Sequence, residues 1–395
     1  MNRELNIIIA GGKTGGHLFP GIAIAQALEQ LVRKTGVDTA HRALINILFV
    51  GTNAKFETNT LKKYRYAHKA IFSKPVKGGN IFYKAFAAAV ILISLIQSMI
   101  IIKNFKPDFI LGVGGFSSFA VILTAWIFRI ENAIQEQNAF PGITNRVLSK
   151  FTKTIFTSFK NTNGFINNPK VKFVGNPVRK DVEVKFKNQI NLKNYDSDKF
   201  TILVTGGSQG AASINNAFID AVKLMKKAQL NSNNIDPNDI NYGRFDPSQC
   251  NIIHQTGVRD EAPIIKKYKN LKIDATAKAF FHDMPVLQTI ADLVITRAGA
   301  GIISELSIKG VPAILIPFPH AADDHQTFNA KALKEQGAAI MIHDKDLNGQ
   351  ILKQTMEDLI QNRQKLKSIG NKLKQLAMPD ADKKIASYIL KTGLT

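Results

Sequence analysis

The sequence predicts an α/β protein made of two Rossmann-like, doubly wound parallel-sheet domains facing a cleft. Three observations predict it. Short apolar, β-rich runs alternate with helix-length stretches through both halves of the 395 residues, a spacing that calls for βαβ crossovers and therefore parallel sheets. Each half opens on the same device, an apolar strand running into a glycine-rich turn and then a helix: IIIAGGKTGGH from Ile7 and ILVTGGSQGA from Ile202. The chain is also too long for one ordinary core and suits two.

In chain order, the first domain (1–179) takes strands at residues 6–10, 47–51, 108–113, 133–136, 154–157 and 171–174. The second (180–380) takes them at 201–205, 251–255, 292–296, 313–317 and 338–342. Polar, irregular sequence at 179–199 marks the join, and 230–249 reads as a surface-loop insertion. A closing helix at 381–394 is expected to pack back across the first domain.

Residues 85–102, AFAAAVILISLIQSMIII, are apolar apart from Ser94, Gln97 and Ser98. Their length reaches the lower limit of a membrane span, about 17 residues. A span would tear the first sheet apart, because the segment lies between two of its strands. A crossover helix packed on the sheet is the bland alternative. The favoured expectation is a helix whose apolar face dips into a bilayer surface, helped by Lys74, Lys77, Lys84, Lys103 and Lys106. Aspartates at Ile91 and Leu95 would then abolish binding to vesicles.

Composition narrows the classes. Hydrophobic residues make up 45% and charged residues 21% of the chain, as in an ordinary folded protein. The single cysteine, Cys250, excludes an internal disulfide and a cysteine-cluster zinc site. No room is left for a signal peptide before the first strand, so a cytoplasmic location is expected. A net charge of +22 fits attraction to an anionic membrane. It equally fits a coding bias toward Lys, Asn and Ile, since the basic residues are spread along the chain. No nucleic-acid motif accompanies the charge, so nucleic acid is not an expected partner.

Glycine turns at helix starts let a ligand approach backbone N–H groups, and phosphate is the usual guest. The turn Gly11–His17 and the turn Gly206–Ala211, with its Ser208 hydroxyl, fit a phosphorylated ligand as a pair. A nicotinamide dinucleotide would also want a carboxylate closing the second strand, and Phe49-Val50-Gly51-Thr52-Asn53 has none. Further on, Arg297-Ala298-Gly299-Ala300-Gly301 leads into a helix with Ser304 and Glu305. Small residues there suit a nucleoside diphosphate. A carboxylate one turn in suits a ribose diol, or equally a partner for the helix dipole.

Taken in order, GGKTGGHLFPGIAIA, GVGGFSSFA, EQNAFPGITNRVLSK, VGNPVR, GGSQGA, HQTG, RAGAGIISEL and PFPHAADDHQTFNA cover nearly the whole chain. On these motifs it resembles the peptidoglycan N-acetylglucosaminyltransferases, two-domain glycosyltransferases of the B fold. The resemblance implies inverting transfer of N-acetylglucosamine from UDP-N-acetylglucosamine to the C4 hydroxyl of undecaprenyl-diphospho-muramoyl pentapeptide. It implies a place on the cytoplasmic face of the inner membrane. Thr14, Gly15 and Gly16 would contact a diphosphate and Asn138 the N-acetylglucosamine. Arg179 and Ser208 would hold the donor's diphosphate side, and Phe281 would lie against the uracil. Ala300, Gly301, Ile302, Ser304 and Glu305 would bind diphosphate and ribose, and Gln326 the sugar hydroxyls. Two positions depart from the family: Gln135 replaces the usual His before EQN, and Lys13 a frequent glycine.

The chemistry needs a base for the attacking hydroxyl and stabilisation of the departing UDP. His17 is the candidate base because its ring titrates in the useful range; Glu136 is the weaker alternative. Helix N-termini and Arg179 could meet the diphosphate charge, so no cofactor is required, although a loosely bound divalent cation stays compatible. The D-x-D triplets at Asp196/Asp198 and Asp344/Asp346 read as structural. Two rivals remain: a UDP-sugar epimerase on the same clamp, and a non-catalytic membrane scaffold that binds the nucleotide sugar without turnover.

Overall fold

The computed structural model describes residues 4–12, 14–35, 45–73, 81–179, 195–207, 209–231 and 246–393. It divides into two units, Met1–Lys180 with Met378–Thr395, and Asp181–Ala377. Lys13, Lys74, Lys77, Ser208, Leu394 and most of the join and of the loop insertion lie outside the described residues, as does the side chain of Lys84.

The first unit runs β1 (Leu5–Ala10), α1 (Gly15–Thr35), β2 (Ile45–Gly51), α2 (Lys55–Lys63), β3 (Ala67–Ala70), α3 (Ile81–Phe105), β4 (Phe109–Gly112), α4 (Phe116–Ile127), β5 (Glu131–Glu136), α5 (Ile143–Leu148), β6 (Thr154–Thr157) and β7 (Val171–Phe173). Its strands pair parallel in the order β3-β2-β1-β4-β5-β6-β7. Central strands are covered by helices on both faces, so they need apolar side chains in both directions. LNIIIA of β1 and FILG of β4 meet that need and are almost wholly buried.

The second unit runs β8 (Phe200–Thr205), α6 (Ala212–Asn231), β9 (Cys250–Gln255), α7 (Glu261–Asn270), β10 (Ala275–Lys278), α8 (Met284–Ile290), β11 (Leu293–Thr296), α9 (Ala300–Lys309), β12 (Ala313–Leu315), α10 (His325–Lys334), β13 (Ile340–Met341), α11 (Gly349–Gln361) and α12 (Arg363–Gln375). Its sheet is parallel in the order β10-β9-β8-β11-β12-β13. Every apolar run read from the sequence is a strand; β3 and β10, at the outer edges, are additional.

The last helix, α13 (Ala381–Gly393), belongs to the first unit. Tyr388 fixes it there: the ring lies edge-on to Phe156 and Phe109, and the hydroxyl is 2.7 Å from Thr154 Oγ1.

The helix α3 is built inside out. A helix covering a sheet in water turns its apolar stripe inward. Here Leu92, Ile93, Ile96 and Ile100 are exposed, while Ser94 and Ser98 are buried. The inward polar groups are all engaged. Ser94 Oγ bonds the carbonyls of Val90 and Phe72, Ser98 Oγ bonds Ser94 O at 2.7 Å, and Gln97 Oε1 accepts from Phe72 N at 2.7 Å. The part of the segment chosen from sequence to face a membrane needs correction. Ile91 and Leu95 are half-buried, with Leu95 packed on the core, and Leu92 and Ile96 are the outward residues.

Candidate functional site

In an open parallel sheet, ligands gather at the carboxyl ends of the strands where the order reverses. That switch lies between β1 and β4 in the first unit, and between β8 and β11 in the second. The four turns that follow these strands are the ones carrying the glycine motifs.

In the first unit Thr14 opens α1: its carbonyl accepts from the N–H groups of His17 and Leu18. Thr14 and Gly16 are exposed, so the first turn of α1 presents backbone donors outward. The imidazole of His17 lies on the turn after β4. A Cβ on Gly114 would stand 2.7 Å from His17 Nδ1, and Gly114 has φ +99°, so glycine is required there on both counts. His17 Nδ1 is 3.2 Å from Oε1 of the buried Gln137.

Glu136 is the buried anchor of the EQN loop. One carboxylate oxygen takes Asn138 N (2.9 Å) and Nδ2 (3.2 Å); the other takes Gly142 N (3.2 Å) and Asn145 Nδ2 (2.8 Å). Burial raises its pKa above the usual carboxylate range, against the lowering effect of those donors. A base role does not suit a carboxylate turned inward and engaged by four N–H groups, so the sequence-derived alternative is corrected to a loop anchor. Asn138 is thereby held half-exposed at the loop's tip. Arg179 sits with its guanidinium 3.9 Å from the ring centre of Phe19 and donates to Tyr64 OH at 2.8 Å.

In the second unit, α9 starts at Gly299, which caps it without any side-chain bond. A Cβ built on Gly299 or Gly301 meets nothing within 4 Å, so there is open space in front of this N-terminus. Glu305 stands one turn in, tied to Gln288 Nε2 of α8 at 2.8 Å. Lys309 bonds Gln288 Oε1 in turn, and burial lowers its pKa to about 8 while Glu305 pulls it up. Ala300 is buried, Ile302 packs on the core, and Ser304 Oγ bonds Ala300 O at 2.8 Å. Gln326 Oε1 accepts from Ala298 N (3.1 Å) and Phe318 N (3.0 Å), which commits its oxygen to the loops and turns its amide nitrogen to other work.

Gln255 joins the turns of this unit: its Nε2 bonds Gly207 O at 2.9 Å, and its Oε1 accepts from Phe281 N at 2.9 Å. Phe281 itself is a correction. Its ring is 6% exposed and part of the core, whereas the adjacent Phe280 is 47% exposed. A ring stacking on a base has to show a face, and of the two rings only Phe280 is exposed. The sequence signal for it was present in the doublet Phe280-Phe281, but register alone could not pick between them.

Other motif residues hold the frame. Arg297 bonds Asp344 Oδ1 at 2.5 Å and Ser213 Oγ at 2.9 Å, so Asp344 is an ion-pair partner. Asp196 accepts from Asp198 N in a local turn. His254 of HQTG is enclosed between Tyr268 OH (2.8 Å) and Asn215 Oδ1 (3.0 Å); burial pushes its pKa down to about 3, leaving a neutral structural ring.

Two parallel-sheet units with open, glycine-lined helix starts at both switch points define a two-domain glycosyltransferase of the B type, and the comparisons agree. The glycosyltransferase family 28 N-terminal domain matches residues 7–157 and the family 28 C-terminal domain residues 201–385. The UDP-N-acetylglucosamine–N-acetylmuramyl-(pentapeptide) pyrophosphoryl-undecaprenol N-acetylglucosamine transferase of Myxococcus xanthus is 35% identical over 97% of this chain and 91% of its own. The protein of that name from Syntrophus aciditrophicus is 38% identical over 94% of each chain. The crystal structure of Acinetobacter baumannii MurG superposes with a TM-score of 0.73, at 27% identity, over 98% of this chain and 99% of that one. This chain belongs to the UDP-N-acetylglucosamine–N-acetylmuramyl-(pentapeptide) pyrophosphoryl-undecaprenol N-acetylglucosamine transferase family.

Proposed function

We propose that the chain transfers N-acetylglucosamine from UDP-N-acetylglucosamine to the C4 hydroxyl of undecaprenyl-diphospho-muramoyl pentapeptide, with inversion, at the cytoplasmic face of the inner membrane. The observation that carries the proposal is the pair of open helix N-termini, α1 with His17 in its first turn and α9 with Glu305 one turn in. The donor's diphosphate meets the N-terminus of α9, its ribose diol Glu305, its uracil Phe280 and its sugar hydroxyls Gln326. Thr14, Gly15, Gly16, Asn138 and Arg179 of the first unit, with Ser208 of the second, complete the contacts to diphosphate and sugar.

The C4 oxygen bonds to C1 of the sugar as the bond from C1 to the β-phosphate oxygen breaks. The hydroxyl proton passes to His17 Nε2, and UDP leaves with the electron pair, stabilised by backbone dipoles. No resident cofactor is needed; a divalent cation loosely held by the diphosphate is compatible with the scheme.

The apolar face of α3 supports the membrane part of the proposal. Near it lie exposed Trp126 and Ile127 at the end of α4, Ile143 and Val147 of α5, and exposed Lys103 and Lys106 at the end of α3. A half-open apolar pocket of about 170 Å³ lies among Val90, Ile91, Phe119, Ala120, Ile143 and Val147. A cavity of about 150 Å³ holds benzene, so the pocket has room for one isoprene unit of the lipid carrier. The decisive experiment supplies UDP-N-acetylglucosamine and the lipid-linked muramyl-peptide acceptor and looks for the disaccharide lipid. Donor binding without product would leave a non-catalytic scaffold instead.

A further inference from the structure

Between His17 and the first sheet runs a chain of side-chain amides whose donors can be assigned one by one. The carbonyl of Val113 can only accept, so the Gln137 amide atom 2.7 Å from it is the nitrogen. The same nitrogen contacts Gln135 Oε1. Gln135 Nε2 is 3.1 Å from Ser158 Oγ and 3.4 Å from Asn176 Oδ1. Ser158 gives its own proton to the carbonyl of Glu136 at 2.9 Å, so it accepts from Gln135. Both anchors are backbone carbonyls, which cannot exchange donor for acceptor, and the amides between them are buried. The polarity of the whole chain is therefore fixed.

It follows that Gln137 turns its oxygen, which has no proton, to His17 Nδ1. The shared hydrogen then sits on Nδ1, and the neutral ring carries its lone pair on Nε2. We propose that Gln137, oriented by Val113 and Gln135, is a positioning residue that locks His17 in the Nδ1–H tautomer and presents Nε2 to the acceptor hydroxyl. The proposal rests on His17 being the base. Gln135 strengthens the lock: a histidine at this position could change its donors by protonation, and an amide cannot.

The test uses the full chain with ¹⁵N-labelled histidine, the His17 signals being identified by their loss in His17→Ala. Long-range ¹H–¹⁵N correlations should show a protonated Nδ1 and an unprotonated Nε2. In Gln137→Met the population should move toward Nε2–H. Because the wrong tautomer disables a histidine base, kcat should fall about 10- to 100-fold with KM for UDP-N-acetylglucosamine nearly unchanged. If Gln137→Met does not fold, Gln135→Met carries the same readouts with a smaller shift, since Val113 still orients Gln137. A wild-type ring protonated on Nε2, or a folded Gln137→Met with wild-type kcat, overturns the proposal. Full activity in His17→Ala would sink the base role separately, since the tautomer is read without turnover.

Discussion

Two crossovers occupy equivalent places in the two sheets. The helix α3 carries the chain from β3 to β4, and α8 from β10 to β11; each passes from an outer strand to the strand beyond the switch point. The connection takes 7 residues in α8 and 25 in α3. The short version shows what the topology requires. The surplus in α3 is therefore not needed to close the sheet, and its outward face is apolar where water should favour polar residues. Contiguous exposed apolar surface of this kind marks an interaction site. The two crossovers also serve different neighbours: α8 supplies Gln288 to hold Glu305, whereas α3 turns Ser94 and Ser98 inward and Ile93, Ile96 and Ile100 out.

The largest expected effect breaks that contrast directly. Leu92→Asp with Ile96→Asp places two carboxylates on the face of α3, at a cost on the order of 5 kcal/mol for entry into an apolar membrane layer. Binding to anionic vesicles should disappear while UDP-N-acetylglucosamine affinity stays unchanged, because neither Leu92 nor Ile96 is among the residues proposed to touch the donor. Undiminished vesicle binding would remove α3 from the membrane interface.

Acid should separate the two units next. An unfolded histidine titrates near 6.5, while burial pushes His254 in place down to about 3. Protons thus bind the unfolded chain first, so the second unit is fully stabilised above pH 6.5 and loses stability as pH falls toward 3, by on the order of a few kcal/mol. Glu136 has the opposite sign, because its raised pKa makes the folded first unit the better proton acceptor as pH falls through its titration. The sole tryptophan, Trp126, reports the first unit. Its fluorescence transition should persist to lower pH than loss of UDP-N-acetylglucosamine binding; coincident transitions would show that the two units do not respond separately.

Glu305→Ala should weaken donor binding about tenfold or more, the worth of a hydrogen bond to a charged group, and leave vesicle binding alone. Isothermal titration with UDP-N-acetylglucosamine measures it, and unchanged affinity would take the ribose away from Glu305. The smallest effect concerns the fastening of α3. Ser94→Ala leaves the Phe72 carbonyl short of a donor and should cost about 1 kcal/mol in thermal unfolding. A neutral outcome would mean that water replaces the hydroxyl.

The sequence by itself determined the two parallel sheets, because a strand buried on both faces has to be largely apolar, as LNIIIA and FTILVT are. It also determined the glycine turns, whose chemistry is local. The edge strands β3 (AHKA) and β10 (ATAK) escaped notice because an edge needs no such run. Only the tertiary structure decided which face of α3 turns outward, that Phe280 and not Phe281 is the exposed ring, and that Glu136 anchors a loop. It alone brings Gln137 Oε1 to 3.2 Å from His17 Nδ1. Those outcomes depend on partners far away in the chain, 120 residues for Gln137 with His17 and 22 for Ser94 with Phe72. A hydrogen bond leaves no periodicity in the sequence; its donor and acceptor are matched only once the sheet has brought them together.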